Sequence, residues 1–181
     1  MKLIRSIVST FIVVLILVAA IWGAYRLFPL RYLAEIRTCA DEMGVDRYLV
    51  AALIKAESNF DMYALSSAGA KGVMQLTDST ARFCADKLKL ELKDGDIYTP
   101  MVNIRLGVFY LKRMLELFGG DESLAVAAYN AGEGTVHRWL EDPGLTTDGE
   151  SLHSIPYKET EGHVKKIKVY KKIYKLLYPN M

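Results

Sequence analysis

Histidine and cysteine are scarce in this chain of 181 residues, which has His137, His153 and His163 and the two cysteines Cys39 and Cys84. None of the histidines stands at ligand spacing with another histidine or with a cysteine, so neither a metal site nor another cofactor is expected. The cysteine spacing matches no metal or redox motif and allows either one disulfide or two buried free thiols. Net charge is also small, at +2, and there is no recognised nucleic-acid-binding motif, so no nucleic-acid partner is expected. Strand-like alternation and internal repeats are both lacking, which makes the expected fold class all-α.

Charge is absent altogether between Arg5 and Arg26. The stretch from Ser6 to Tyr25, about 20 residues, is long enough to cross a hydrocarbon layer as a helix. Its Ile/Val/Leu text from Phe11 to Val18 has no polar side to show water. Lys2 and Arg5 precede the run, and Trp22 and Tyr25 stand where an interfacial aromatic belt would lie. Arg26 and Arg31 follow it, so the charge balance says little about orientation. Residues 1–27 read as a membrane anchor on a single-pass protein. The alternative is a cleaved signal peptide, because Val18-Ala19-Ala20 resembles a small-residue cleavage site. No cysteine closes the run, so a lipid-modified N-terminus is not expected.

Residues 28–181 are the right length for one buried domain. A helical segment is expected from Phe28-Pro29-Leu30 to Met43, with Gly44 as its C-cap and Asp46 capping the next helix. That second helix, Arg47 to Ser58, has an apolar stripe of Tyr48, Ala51, Ala52 and Ile54, widened by Leu53. A loop spans Asn59 to Lys71, a single helical turn covers Gly72 to Leu76, and Asp78 or Ser79 caps a helix through Lys87. Pro100 opens a long helix to Phe118, ended by Gly119-Gly120. A shorter helix from Glu122 to Ala131 is broken by Gly132 and Gly134, with a turn or two following through Trp139. An exposed loop or small hairpin fills Glu141 to Ser154, and a last helix runs to Tyr178. Its lysines, among them Lys165, Lys168 and Lys172, read as a solvated face on a helix whose other side packs inward.

Glu57 lies one helical step beyond Ile54, beside the apolar stripe and just before the loop rich in Ser, Ala and Gly. Partial desolvation there favours the neutral carboxylic acid, the form that can donate a proton. Three further separated segments matter together with it. They are Gly69-Ala70-Lys71-Gly72-Val73-Met74-Gln75, Ala128-Tyr129-Asn130-Ala131-Gly132 and Ile155-Pro156-Tyr157-Lys158-Glu159-Thr160.

With Glu57-Ser58-Asn59-Phe60, these segments resemble in order the four motifs of the SLT-type lytic transglycosylases. The likeness extends from about Leu49 to Tyr178. It implies a lysozyme-like fold and cleavage of the β-1,4 bond between N-acetylmuramic acid and N-acetylglucosamine in peptidoglycan glycan strands, leaving a 1,6-anhydro end. It also implies that Glu57 is the single catalytic acid and base. Ser66 would hydrogen-bond the acetamido group or the scissile bond, and Gln75 would bind sugar. Tyr129 would hold the acetamido group, supported by Asn130, while Tyr157 and Glu159 would line the glycan cleft. A hydrolytic muramidase or a non-catalytic wall-binding scaffold are the alternatives, and a partner in cell-envelope machinery is compatible with an anchored enzyme.

The sequence departs from the family's pattern at Met62, where proline is usual, and at Thr77, where a cleft-lining methionine is common. It departs again at Glu161 and His163, which replace the usual arginine and tyrosine.

Overall fold

The computed structural model describes residues 2–181, with two compact units dividing between Arg31 and Tyr32. The N-terminal unit holds one helix, α1 (Lys2–Leu27), with no proline within it to interrupt it. Its 26 residues would span roughly 39 Å at the helical rise.

The second unit holds α2 (Leu33–Met43), α3 (Arg47–Ser58), α4 (Asp78–Leu88), a 3-10 turn (Asp96–Tyr98), α5 (Pro100–Leu117), α6 (Glu122–Ala131), α7 (Glu133–Leu140) and α8 (Lys158–Leu177). No strand forms among the described residues, only isolated bridges joining Leu65 to Lys71 and Lys71 to Leu76. The unit is all-α.

Local chemistry sets most boundaries. Gly44 takes a left-handed φ of 68° and ends α2, where a side chain would be strained. The Asp46 carboxylate accepts from the Tyr48 and Leu49 amides and starts α3. Pro100 occupies the first turn of α5, where a missing N–H costs nothing. Asp121 caps α6 through the Ser123 and Leu124 amides.

Four expectations are corrected. Helix α2 begins at Leu33, because Tyr32 is left-handed (φ 57°) and separates Phe28-Pro29-Leu30 from the helix. The N-cap of α4 is Thr77, whose hydroxyl accepts from the Thr80 amide, so neither Asp78 nor Ser79 plays that part. Gly72 to Leu76 is not a helical turn but a tight turn closed by the reciprocal amide bonds between Lys71 and Leu76 (2.9 and 3.0 Å). Gly134 lies inside α7, and Gly132 alone, at φ 89°, makes the break.

The core forms around α3. Leu49, Val50, Ala51, Ala52, Leu53 and Ile54 are all buried, so the expected stripe is in fact a helix covered on nearly every side. Helix α8 packs on α3 through Val164, Ile167 and Tyr174, and α2 packs through Ile36 and Ala40. Each such fully buried aliphatic side chain contributes about 1.5–3 kcal/mol of transfer free energy. A smaller cluster joins Leu76, Ala81, Cys84 and Ala85 to Leu106 of α5. Both cysteines are free and buried, and burial pushes the Cys39 thiol up to about 11 and the Cys84 thiol up to about 12. Neither forms appreciable thiolate at neutral pH, so both behave as small apolar side chains.

Candidate active site

Glu57 occupies the last turn of α3, where the chain leaves the core. Asn59 and Phe60 follow with left-handed φ values of 54° and 64°. Such a conformation costs a residue like Phe60 about 1–3 kcal/mol. What holds it is burial: the Phe60 ring is fully enclosed between Tyr32 and Tyr174, with ring centroids 6.5 and 6.2 Å away. The strained turn redirects the chain into the loop that covers the end of α3.

That loop is tied down by side chains. Ser58, beside Glu57, donates to the Val73 carbonyl at 2.8 Å and locks the helix end to the loop. Asn103, fully buried in α5, accepts from the Met74 amide (2.8 Å) and donates to the Lys71 and Ile97 carbonyls (3.0 and 2.8 Å). Gly72 passes so close that a Cβ there would fall on the Asn103 amide and 2.7 Å from the Ile97 carbonyl oxygen. Gly107 performs the same service for Met74, which is a core residue. Neither Asn103 nor Gly107 was singled out by sequence. The only signal was a carboxamide and a glycine inside an otherwise apolar helix.

The residues expected at the site fall into two groups. Tyr129 of α6 joins Glu57: its hydroxyl donates to the Met74 carbonyl at 2.9 Å. Burial, and then the Glu57 charge, hold its phenol well above the usual range, so it stays a neutral hydroxyl with oxygen lone pairs free to accept. Gln75 sits in the loop turn with φ 50°, and its amide donates to the Ala64 and Gly72 carbonyls (3.1 and 2.9 Å). Its donors brace the loop and only its carbonyl oxygen remains for a ligand. Ser66 Oγ accepts from the Ala70 amide at 3.0 Å and keeps its own proton to donate. Thr77, as the α4 cap, shares its hydroxyl with Ser79 and Thr80.

The second group stands at the end of α6 and the start of α8. Asn130 accepts from the buried Thr160 hydroxyl at 2.8 Å, fastening the start of α8 to α6. Tyr157, the residue before α8, is 56% exposed and meets the Trp139 ring edge-on at 5.0 Å. Glu159 is exposed in the first turn of α8, where an acid suits the helix dipole, and it makes no ion pair among the described residues. One side chain that sequence reasoning noted only as a departure does reach Glu57: His163 Nε2 lies 3.1 Å from its Oε1. No cluster of metal-ligating side chains occurs among the described residues.

The transglycosylase SLT domain family matches residues 35–150. The soluble lytic murein transglycosylase of Escherichia coli K12 is 30% identical over 151 residues, which is 82% of this chain and 23% of that protein. Membrane-bound lytic murein transglycosylase C of Yersinia enterocolitica is 32% identical over 120 residues, covering 60% of this chain and 33% of that protein. Among solved structures, an inactive glutamate-to-glutamine mutant of the lytic transglycosylase Slt from Pseudomonas aeruginosa superimposes with a TM-score of 0.73 at 34% identity. That match covers 82% of this chain and 24% of the other. This chain therefore spans about a quarter to a third of the relatives it matches. With its helical architecture matching the lysozyme-like fold of those structures, the chain belongs to the transglycosylase SLT domain family.

Proposed function

We propose that this chain is a peptidoglycan lytic transglycosylase with Glu57 as its single acid and base. The observation that carries the reading is the place of the Glu57 carboxyl: it ends α3, mostly buried, with the His163 imidazole 3.1 Å from its Oε1 and the Tyr129 phenol near enough to feel its charge. A paired-carboxylate glycosidase needs a second carboxylate as nucleophile or water-activating base, whereas substrate-assisted enzymes do without it.

On this reading Glu57 protonates the glycosidic oxygen as the bond to C1 of the muramyl sugar breaks. The sugar's acetamido group stabilises the positive charge at C1, with Tyr129 accepting from its N–H and Ser66 donating to the same group or to the departing oxygen. The Glu57 carboxylate then takes the proton of the C6 hydroxyl as that oxygen closes on C1. The 1,6-anhydro end forms and the acid is restored, so no external proton or water is consumed. The hydroxyl is already attached to the reacting sugar, which gives it an entropic advantage over water. Gln75, Asn130, Tyr157 and Glu159 would shape the cleft beyond the scissile bond. In the relatives, inactivity of a glutamate-to-glutamine mutant is consistent with one carboxyl carrying the reaction.

Residues 1–27 serve in this reading as a single-pass anchor that holds the catalytic domain, residues 28–181, against the wall outside the cytoplasm. The apolar helix Ile4–Leu27 is long enough, and a membrane-bound relative supports it.

The decisive experiment is digestion of purified sacculi by the wild-type chain and by Glu57→Gln, with the released muropeptides weighed by mass spectrometry. Anhydro ends, one water lighter than reducing ends, are expected from the wild type and none from the variant. Reducing ends from the wild type would make the protein a hydrolase. Anhydro ends released by a folded Glu57→Gln protein at the wild-type rate would remove Glu57 from the mechanism.

A further inference from the structure

His163 stands where tyrosine is usual in the family's pattern, and its imidazole comes within ion-pair distance of Glu57. The two side chains are only 11% and 14% exposed, and Nε2 stands 3.1 Å from Oε1. No other basic side chain comes within ion-pair distance of Glu57 among the described residues. The same Nε2 is the one buried side-chain nitrogen or oxygen among the described residues that lacks an aligned hydrogen bond. Close approach without alignment is a familiar state for catalytic contacts, which tighten when substrate completes the site. A buried donor left unsatisfied is uncommon in native structures and calls for a reason.

The backbone that carries His163 is well fixed. One turn before it, Thr160 is hydrogen-bonded to Asn130 of α6. Two turns after it, Lys171 bridges Asp46 at the start of α3 (2.8 Å) and Glu122 of α6 (2.6 Å). Between these ties, Val164 and Ile167 are buried in the packed face of α8. The imidazole therefore has little freedom to leave the carboxyl it faces.

We propose that His163 is a positioning residue for Glu57, with its Nε2–H donating to the carboxylate that exists after Glu57 has given up its proton. The proposal rests on the transglycosylase reading above. In that mechanism Glu57 is ionised for the middle of the reaction, in a corner that offers little water. A carboxylate without a donor there is costly, and a charge-assisted hydrogen bond lowers that cost selectively in the ionised state. His163 keeps its own proton throughout: the one Glu57 releases goes to the leaving oxygen, and the one it regains comes from the C6 hydroxyl. The bond also fixes the rotamer of Glu57, so the second oxygen, Oε2, is the one left to meet the substrate.

The test compares His163→Gln, His163→Asn and His163→Phe in the detergent-solubilised full chain on soluble, uncrosslinked glycan strands, with Tm measured for each. Glutamine carries an amide nitrogen about as far from the backbone as Nε2, while asparagine is equally polar but one methylene short. Phenylalanine fills the space without a donor. The expected result is a loss of kcat by about 10- to 100-fold in the Phe and Asn variants, with KM within about twofold. The loss is smaller than the 10²–10³ for removing a donor aimed at the reacting atoms themselves. The Gln variant should recover most of the lost rate, and all three should keep a Tm near that of the wild type. Equal kcat for Gln and Asn, a Phe variant as fast as wild type, or losses that follow Tm would each overturn the proposal. Glu57→Gln run alongside separates the two readings. If it is inactive while the His163 variants match wild type, only the role of His163 falls, and if it is active the transglycosylase assignment of Glu57 falls first.

Discussion

Asn103 shows how far a single side chain can act from the chemistry. It takes no direct part in the proposed reaction, yet two of its hydrogen bonds hold the loop that supplies Gln75 and the Met74 carbonyl to which Tyr129 donates, and a third ties it to the Ile97 carbonyl of the 3-10 turn. Asn103→Leu takes from the buried Met74 amide and from the Ile97 carbonyl the partner that Asn103 gives them, a loss of about 2–4 kcal/mol, while the Lys71 carbonyl keeps the Leu76 amide. Urea unfolding should show that drop in stability, with activity falling as well because the loop loosens. Gly72→Ala should behave alike, since the Cβ displaces Asn103 and the residue must hold φ 75°. The same scale explains what was legible in the sequence. Glu57 stood out through its place at the end of an apolar run, a local property. The bracing role of the Gln75 amide and the approach of His163 are set by groups distant in sequence, and no spacing rule contains them.

At the scale of elements, the ends of α3 and α8 matter most. Asp46 both caps α3 and pairs with Lys171 of α8. Burial alone would raise its carboxyl, but Lys171 and the Tyr48 and Leu49 amides outweigh that and hold it below the usual carboxylate range. Burial would lower Lys171, yet Asp46 and Glu122 hold its ammonium above the usual range. For Asp46 the native carboxyl binds its proton less readily than the unfolded one. Its contribution is therefore complete above the unfolded pKa of about 4 and is lost as pH falls through the lower native value. Asp41 beside Arg47 and Asp78 beside Lys71 are shifted in the same direction. Stability measured by denaturant should thus decline below about pH 4. Asp46→Asn, which keeps the cap oxygen but not the charge, should lower stability at pH 7 and make the acid decline shallower.

At the scale of the whole chain, an apolar helix precedes one compact helical unit, and the chain matches only a part of its longer relatives. If α1 is an anchor, the full chain should sediment with membranes, resist alkaline extraction and retain its N-terminus by intact mass. A mature mass beginning just after Ala20 would instead mark residues 1–20 as a cleaved signal. By length and hydropathy α1 is able to cross a membrane, a property legible in its composition because it needs no tertiary contact.

The sequence by itself determined the all-α class, the caps at Gly44 and Asp46, the start of α5 at Pro100, the span of α6 and the prominence of Glu57. Each depends on periodicity or on chemistry within a turn or two of chain. Only the tertiary structure decided that α3 is buried on nearly every side, that Thr77 rather than Asp78 caps α4, that Gly72 to Leu76 is a braced turn, and that His163 meets Glu57. These depend on which surfaces the packed helices bring together, and a contact between α3 and α8 leaves no periodic trace in either segment.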